Sequence, residues 1–463
     1  MTKVKSTGLF LGVIGFCIPL LLDFQGLSMA GHVAMSIFLM AAVFWMFETI
    51  PIYSTSILVI FSQVLLLSAE GLINYSGVAG YDPPSYSLFI GTLANPIIIL
   101  FLGGFVLADA SVKYDFDKNL TRILLSPFGS RTSTIMLGLM VVTAALSAFM
   151  SNTATTAMMI TVIIPIIAKM DPGDPARIGV ALCVPFAANI GGIATPIGTP
   201  PNAVVIAALN QQGLAVAFGS WMLYALPLAI VMLFVAWQVL LRLHPPSTEH
   251  VALDLDTKLQ TSRNAILLYV TFGITVLLWV TEGFHGIKSS IVALLPVVVL
   301  TLSSAFSKQD IRKLPWEVLW LIAGGIALGI SMKNTGLASW LVGGIAWGDL
   351  SSVIVLVVFG VVALVMSNFL SNTVTASLLI PLALSLVTSG ALEGTFGMLM
   401  VGLVIALSAS FAMILPISTP PNAIAESTGV LKTKHMLLSG SIIGIIGVAL
   451  ILLLAMFYWP NII

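Results

Sequence analysis

Long apolar runs joined by short polar connections dominate the chain. A helix of about 20 residues crosses the ~30 Å hydrocarbon core of a bilayer, and most of these runs reach that length. A transmembrane barrel would show shorter segments of alternating polarity instead. The pattern predicts an all-α polytopic membrane protein with about eleven transmembrane helices, near residues 8–26, 31–47, 53–70, 91–109, 176–209, 217–241, 264–281, 288–306, 317–333, 397–426 and 436–458.

Two further apolar stretches, residues 132–168 and 351–391, each carry a Ser-Asn-Thr triplet near the middle. The arms on either side of the first triplet are roughly 15 to 18 residues long, so each arm reaches about 25 Å and falls short of a full crossing. We therefore expect two re-entrant helical hairpins whose tips are the triplets.

Basic residues set the orientation of the chain through the positive-inside rule. With a cytoplasmic N-terminus and two re-entrant hairpins, every Lys and Arg except Lys288 and Lys333 falls on the cytoplasmic side. The count predicts a multi-pass inner (cytoplasmic) membrane protein whose C-terminus is outside, with the first hairpin opening to the cytoplasm and the second to the outside. A cleaved signal ending near residues 28–30 is the alternative, and it gives the wrong parity.

The chain consists of two related halves. Three motifs recur at an offset of 220 or 221 residues: Ser-Asn-Thr at 151–153 and 371–373, TPIGTPPNA at 195–203 and LPISTPPNA at 415–423, and LFLGGFVLADAS at 100–111 and LIAGGIALGISM at 321–332. Because the two hairpins open to opposite sides, the halves form an inverted repeat. Inverted repeats are typical of secondary transporters, whose site lies near the bilayer midplane between the repeats.

The repeated motifs carry the chemistry of such a site. Adjacent prolines in each Thr-Pro-Pro-Asn motif remove amide donors and break a long helix, which leaves unwound backbone. Each hairpin tip adds small polar side chains and the unpaired amides and carbonyls of helix ends. Helix N-termini attract anions and unwound carbonyls attract Na⁺, so we expect one central chamber that holds an anion with cations beside it.

Composition narrows the class of function. Hydrophobic residues make up 59% of the chain, charged residues make up 8%, and the net charge is zero. This balance argues against a nucleic-acid partner. The sequence also lacks a glycine-rich phosphate loop, so ATP-driven transport is not expected. No catalytic motif indicates an enzyme or a cofactor. No Lys or Arg falls in a tip or a break, so we expect the countercharge of a buried anion to come from bound cations and dipoles. Two similar tips favour a dicarboxylate.

The paired Ser-Asn-Thr hairpins and Thr-Pro-Pro-Asn breaks resemble those of the divalent anion/sodium symporter family, over nearly the whole chain. The resemblance implies a homodimer that works as an elevator, with a fixed scaffold domain and a mobile transport domain in each protomer. It places the scaffold at residues 1–110 and 246–335. The transport domain would comprise residues 111–245, with the hairpin 132–168 and the broken helix 176–209, and residues 336–463, with the hairpin 351–391 and the broken helix 397–426.

The same resemblance assigns the site residues, motif by motif. The first sodium ion would bind Ser147, Ser151, Asn152 and Gly198, and the second Ser367, Leu370, Asn372 and Ser418. The substrate carboxylates would meet Asn152, Thr153, Asn372 and Thr373, in a pocket lined by Thr199, Pro201, Thr419 and Pro421. Gly198 and Ser418 differ although they occupy matching positions, which leaves the effect of the hydroxyl open.

The leading interpretation is a sodium-coupled symporter of C4-dicarboxylates such as succinate, fumarate and malate, with citrate, tartrate or sulfate as other substrates to test. A sodium-independent carboxylate exchanger is the first alternative. A channel or ion-pump subunit is the alternative of another class, and the central clustering of the polar residues argues against it. Glu426 lies deep enough to carry a proton, but its counterpart is Ile206, which argues against a central role.

Overall fold

A computed structural model describes residues 3–75, 80–251, 260–343, 350–388 and 394–462. In these ranges the structure is helical and contains no strand beyond an isolated bridge between Arg131 and His250. The helices of the first half are α1 (Lys3–Leu21), α2 (Met29–Met46), α3 (Ile52–Leu67), α4 (Tyr86–Ile90), α5 (Pro96–Lys113), α6 (Phe116–Leu125), α7 (Thr132–Ser147), α8 (Asn152–Ala168), α9 (Ala176–Gly192), α10 (Pro200–Gln211) and α11 (Phe218–Leu243).

The second half repeats this order with shorter connecting helices. Its helices are α12 (Arg263–Val280), α13 (Glu282–His285), α14 (Ser289–Val292), α15 (Leu294–Leu302), α16 (Lys308–Lys313), α17 (Trp316–Asn334), α18 (Leu337–Gly343), α19 (Ser352–Phe369), α20 (Asn372–Thr388), α21 (Gly394–Ser410), α22 (Pro420–Ser427) and α23 (Thr433–Phe457).

Eight helices in the described ranges are long and apolar enough to cross a membrane. Seven coincide with predicted spans, and the eighth is α19, the first arm of the second predicted hairpin. The remaining predicted spans are shorter or interrupted: 53–70 corresponds to α3, 288–306 to α14 and α15, 176–209 to α9 and α10, and 397–426 to α21 and α22. At 18 residues, α19 extends about 27 Å and is close to the length of a full span.

Both predicted hairpins are pairs of helices that pack on each other, α7 with α8 and α19 with α20. Each second arm begins at the asparagine of its Ser-Asn-Thr triplet. Residues 389–393, at the end of the second hairpin, lie outside the described ranges. The chain therefore reverses at both triplets.

The proline pairs lie at helix starts and do not break helices from within. Pro200 and Pro201 open α10, and Pro420 and Pro421 open α22, after unwound segments at 193–199 and around 411–419. This corrects the expectation that the prolines themselves interrupt the helix. The first turn of a helix has no intrahelical partner for its amides, so proline is tolerated there.

The two halves interlock through these helices. Helix α10 of the first half packs against α20 and α21 of the second, while α22 of the second half packs against α8 and α9 of the first. The start of each broken helix's second segment therefore lies next to helices of the opposite half. This crossed packing brings both tips and both breaks to one region of the molecule.

The loop that leaves α11 fastens the base of the first hairpin. Asp174 accepts hydrogen bonds from the backbone amides of Ala176 (2.8 Å), Ser247 (3.1 Å) and Thr248 (2.7 Å). Burial opposes the charge of Asp174, but these hydrogen bonds outweigh it and hold the pKa of the carboxyl below its usual value. The amide of Thr132, the first residue of α7, donates to Glu249 O at 2.9 Å.

Candidate functional site

The tip of the first hairpin is packed tightly against the first break. Ser147 Oγ lies 2.5 Å from Asn152 Oδ1 and donates to Ala188 O at 2.9 Å. Only a glycine fits beside the Asn152 side chain, because a methyl group on Gly192 would lie 2.7 Å from Asn152 Oδ1. The tip and the break thus share one contact surface.

Oxygen atoms gather around the Asn152 side chain. One of its two amide atoms lies 2.5 Å from Ser147 Oγ, 3.0 Å from Gly198 O and 3.3 Å from Ala188 O. If this atom is the amide nitrogen, it donates hydrogen bonds to these three oxygens. If it is the amide oxygen, it forms a cluster of four oxygens with Ser147 Oγ, Gly198 O and Ala188 O. Hard monovalent and divalent cations take all-oxygen ligand sets, so the second orientation fits a bound cation.

The second hairpin repeats this arrangement with one difference. Ser367 Oγ donates to Asn372 Oδ1 at 2.6 Å, and the matching Ser147 Oγ lies equally close to the Asn152 side chain in the first half. The hydroxyl of Ser418, which replaces Gly198, lies 3.0 Å from Asn368 Oδ1 and 3.1 Å from Asn368 O. The Ser418 hydroxyl therefore forms hydrogen bonds within the protein.

Both breaks are held by the asparagine of the Thr-Pro-Pro-Asn motif. Asn202 Nδ2 donates to Thr195 O at 2.8 Å and to Gly192 O at 3.2 Å. Asn422 Nδ2 donates to Leu415 O at 3.0 Å and to Met413 O at 3.1 Å. Satisfying these unwound carbonyls fixes the path of each break, since an unpaired buried carbonyl is costly.

The predicted site residues lie in one region but differ in exposure. The buried members are Ser147, Gly198, Thr199, Pro201, Ser367, Leu370, Thr373, Ser418, Thr419 and Pro421; Ser151, Asn152 and Asn372 are half-buried, and Thr153 is exposed. None of these residues is charged, so the region offers dipoles and oxygens rather than an ion pair.

Sequence reasoning missed several residues that shape the site. Asn189 on α9 reaches into the opposite half, where its Nδ2 lies 3.1 Å from Thr419 Oγ1 and 3.5 Å from Asn422 Oδ1. Trp221 on α11 donates from Nε1 to Ile193 O at 3.0 Å and supports the first break. Asn202 and Asn422 were visible in the repeated motif, whereas Asn189 has no counterpart in the second half to mark it.

Glu426 and a second carboxylate, Glu282, have structural partners. Glu426 Oε1 accepts a hydrogen bond from Thr433 Oγ1 at 3.0 Å, at the start of α23. Glu282 is buried and accepts from the amides of Phe218 and Ser289, both at 3.3 Å, with Lys288 Nζ at 3.8 Å. These contacts tie helix ends together.

Comparison with known proteins gives a consistent picture. Residues 3–463 match the sodium:sulfate symporter transmembrane region. The chain is 30% identical over 495 residues to the sodium-dependent dicarboxylate transporter SdcS of Staphylococcus saprophyticus, covering 98% of this chain and 92% of that protein. It is 31% identical over 470 residues to the sodium-dependent high-affinity dicarboxylate transporter 3 of Caenorhabditis elegans, covering 87% and 79%.

A solved structure shares the fold. The crystal structure of the Alcanivorax borkumensis YdaH transporter superimposes with a TM-score of 0.56 at 13% identity, covering 81% of this chain and 88% of that one. At this identity the likeness concerns the fold alone.

Proposed function

Because the chain belongs to the sodium:sulfate symporter family, we propose that it carries C4-dicarboxylates such as succinate, fumarate and malate across the inner membrane together with sodium ions. The relatives named as sodium-dependent dicarboxylate transporters support this choice of substrate. The protein is a transporter by family, and sodium is its coupling ion.

The oxygen cluster around Asn152 is the observation that carries the proposal. Ser147 Oγ, Ala188 O and Gly198 O lie within 3.3 Å of one amide atom of this side chain, and Na⁺ prefers such oxygen ligands. The second cation would bind at the matching residues Ser367, Leu370, Asn372 and Ser418. A cation in each half would supply the charge that the uncharged chamber lacks for an anion.

The substrate would lie between the two cations. Its carboxylates would meet the tips at Asn152, Thr153, Asn372 and Thr373, and the pocket walls would come from Thr199, Pro201, Thr419 and Pro421. The crossed packing of α10 with α20 and of α22 with α8 supports a single shared chamber. Two matching tips suit a substrate with an anionic group at each end.

The proposed membrane topology places both hairpin tips at the same depth in the bilayer. Eleven spans and two re-entrant hairpins, with the N-terminus in the cytoplasm and the C-terminus outside, would place the tips near the midplane from opposite faces. The shortness of α7, at 16 residues, supports re-entry of the first hairpin.

The division into scaffold and transport domains is supported by two glycine pairs. The first glycine of each pair packs inside the proposed scaffold: a methyl group on Gly103 would lie 2.8 Å from Ala293 Cβ, and one on Gly324 would lie 2.5 Å from Ser56 Cβ. The second glycine of each pair faces the proposed transport domain. A methyl group on Gly104 would lie 3.2 Å from Ile197 Cδ1, and one on Gly325 would lie 2.9 Å from Ser377 Cβ.

Smooth backbone at the second glycines would let the transport domain (111–245 and 336–463) slide against the scaffold (1–110 and 246–335) as an elevator. A homodimer joined through the scaffold would hold the fixed part in place while the transport domain moves.

Uptake into proteoliposomes tests the function. Purified protein should accumulate labelled succinate when an inward Na⁺ gradient is imposed, and should fail to do so with Li⁺ or choline. Accumulation that does not depend on Na⁺ but needs internal dicarboxylate would identify an exchanger, and single-channel currents would identify a channel.

Two variants test the proposed site. Asn152→Ala and Asn372→Ala should each abolish uptake, while size-exclusion chromatography shows that the protein remains folded. Normal uptake by both variants would contradict the proposed site.

A further inference from the structure

Asn189 connects the two halves of the chain at one side of the chamber only. It lies on α9 of the first half, is 2% exposed, and its Nδ2 approaches Thr419 Oγ1 and Asn422 Oδ1 of the second half. The position that matches Asn189 in the second half is Ala409, which has no side-chain donor. In keeping with this, Asn202 Oδ1, the counterpart of Asn422 Oδ1, is buried without a hydrogen-bond partner in the described part of the chain.

The contacts of Thr419 determine the direction of its hydroxyl group. Thr419 Oγ1 accepts from Asn189 Nδ2 at 3.1 Å and from the amide of Asn422 at 3.4 Å. A hydroxyl oxygen has two acceptor lone pairs and one donor hydrogen. Both lone pairs are occupied, and among the described residues the Thr419 hydroxyl donates to none, so its hydrogen is left for a ligand.

The matching threonine of the first half is not fixed in this way. Thr199 also precedes its proline pair, but its side chain does not cap α10, whereas Thr419 caps α22 through the Asn422 amide. The two sides of the chamber therefore differ, because within the described ranges the Thr419 hydroxyl is fixed by two hydrogen bonds and the Thr199 hydroxyl caps no helix.

We propose that Asn189 is a positioning residue that commits the Thr419 hydroxyl to donate a hydrogen bond to a carboxylate of the substrate. This inference rests on the proposed function. It adds that the protein binds the two carboxylates of the substrate by different hydrogen bonds. A preset donor loses less freedom on binding, and a hydrogen bond to a charged acceptor is stronger than one to a neutral acceptor. Asn189 touches neither the substrate nor a cation and acts through Thr419.

Kinetics of Asn189→Leu in proteoliposomes tests the inference. Leucine has a similar volume and no donor, so one lone pair of Thr419 becomes free and the hydroxyl can turn away from the substrate. We expect KM for succinate to rise about tenfold, with the maximal rate changed by less than about twofold, as for loss of a hydrogen bond to a charged group. Thr419→Val should raise KM at least as much, and adding Asn189→Leu to Thr419→Val should have no further effect.

Asn119→Leu is the matched control, because Asn119 is another buried asparagine, on α6, whose Nδ2 donates to Asp115 O at 2.8 Å. Its KM should equal that of the wild type. An unchanged KM in Asn189→Leu, additive effects in the double variant, or an equal rise in Asn119→Leu would each overturn the inference while wild-type transport stands. Wild-type protein that takes up no succinate would overturn the proposed function, and the inference with it.

Discussion

Ser418 Oγ and Asn368 Oδ1 lie 3.0 Å apart at the second break, and the same hydroxyl accepts the Leu415 amide at 3.1 Å. In the first half the matching residues are Gly198 and Ala148, so both partners of this pair are present in one half and both are absent from the other. The Ser418 hydroxyl therefore stiffens the second break. A cation at this break would meet the backbone carbonyl of residue 418, as it would meet Gly198 O in the first half.

Ser418→Ala should weaken sodium binding at the second break. The substitution removes a buried hydroxyl that joins the tip residue Asn368 to the break, and a buried hydrogen bond contributes about 1 kcal/mol, equivalent to roughly a fivefold change. We expect the Na⁺ concentration for half-maximal succinate uptake to rise about fivefold. Ser410→Ala is the control, because among the described residues Ser410 Oγ bonds only Ala406 O within α21, at 3.0 Å. An unchanged Na⁺ dependence in Ser418→Ala would contradict the prediction.

Gly198→Ala should abolish uptake. A methyl group there would lie 3.0 Å from both the carbonyl carbon and the Cα of Gly192, which are backbone atoms that cannot turn aside. The break would move away from Asn152, and its oxygen cluster would open. We expect at least a tenfold loss of sodium-driven uptake, on the scale of about 1.4 kcal/mol or more, measured in protein that stays monodisperse.

Gly360→Ala provides the comparison for Gly198→Ala. A methyl group on Gly360 would lie 3.2 Å from Val404 Cγ1, a side-chain atom that has to move by only a few tenths of an ångström. This variant should keep most of the uptake. Equal activity of the two alanine variants would show that the backbone approach at Gly198 is unimportant.

The sequence predicted the positions of the two hairpin tips and the two helix breaks because the repeat shows each of them twice. Two triplets at one offset located the tips, and two Thr-Pro-Pro-Asn motifs located the breaks. The repeat could not reveal where the halves depart from each other: Asn189 and Asn368 each act through contacts that bring distant parts of the chain together, with Asn189 reaching Thr419 across 230 positions. Apolar patterning also missed the amphipathic helix α6, because its 10 residues carry Asp117, Lys118 and Arg122.

Cross-linking of Gln212 to Lys333 should arrest transport. Lys333 Nζ on α17 donates to Gln212 Oε1, next to the end of α10, at 2.9 Å, so the contact joins the proposed scaffold to the proposed transport domain. If the domains slide, this contact must break in each cycle. In a background with Cys17→Ser, since Cys17 is exposed and Cys183 is buried, Gln212→Cys/Lys333→Cys treated with a short thiol cross-linker should lose most of its uptake.

Each single cysteine variant treated with the same reagent serves as the control for this arrest and should remain active. A cleavable linker should restore uptake after reduction. Full uptake by completely cross-linked protein would show that α10 and α17 keep their relative positions during transport. That result would contradict the proposed elevator mechanism.

Protonation of His244 should destabilise the protein below neutral pH. The residue follows α11, is 8% exposed, and its Nε2 has no hydrogen-bond partner in the described ranges. Burial, together with the His435 ring 6.2 Å away, lowers the pKa of His244 to about 4. Because the unfolded chain binds this proton near pH 6.5 and the folded chain only near pH 4, stability falls as the pH drops through this window and the loss from His244 is complete below it.

The loss from His244 should be on the order of 2 kcal/mol by pH 5, visible as a lower melting temperature of the detergent-purified protein at pH 5 than at pH 7.5. His244→Phe removes the titrating group from the same space, so its melting temperature should fall less over that interval. His250→Phe alters an exposed histidine that contacts Ser130 Oγ at 3.2 Å, and it should keep the wild-type slope. Identical slopes in all three proteins would show that the acid sensitivity arises from other groups.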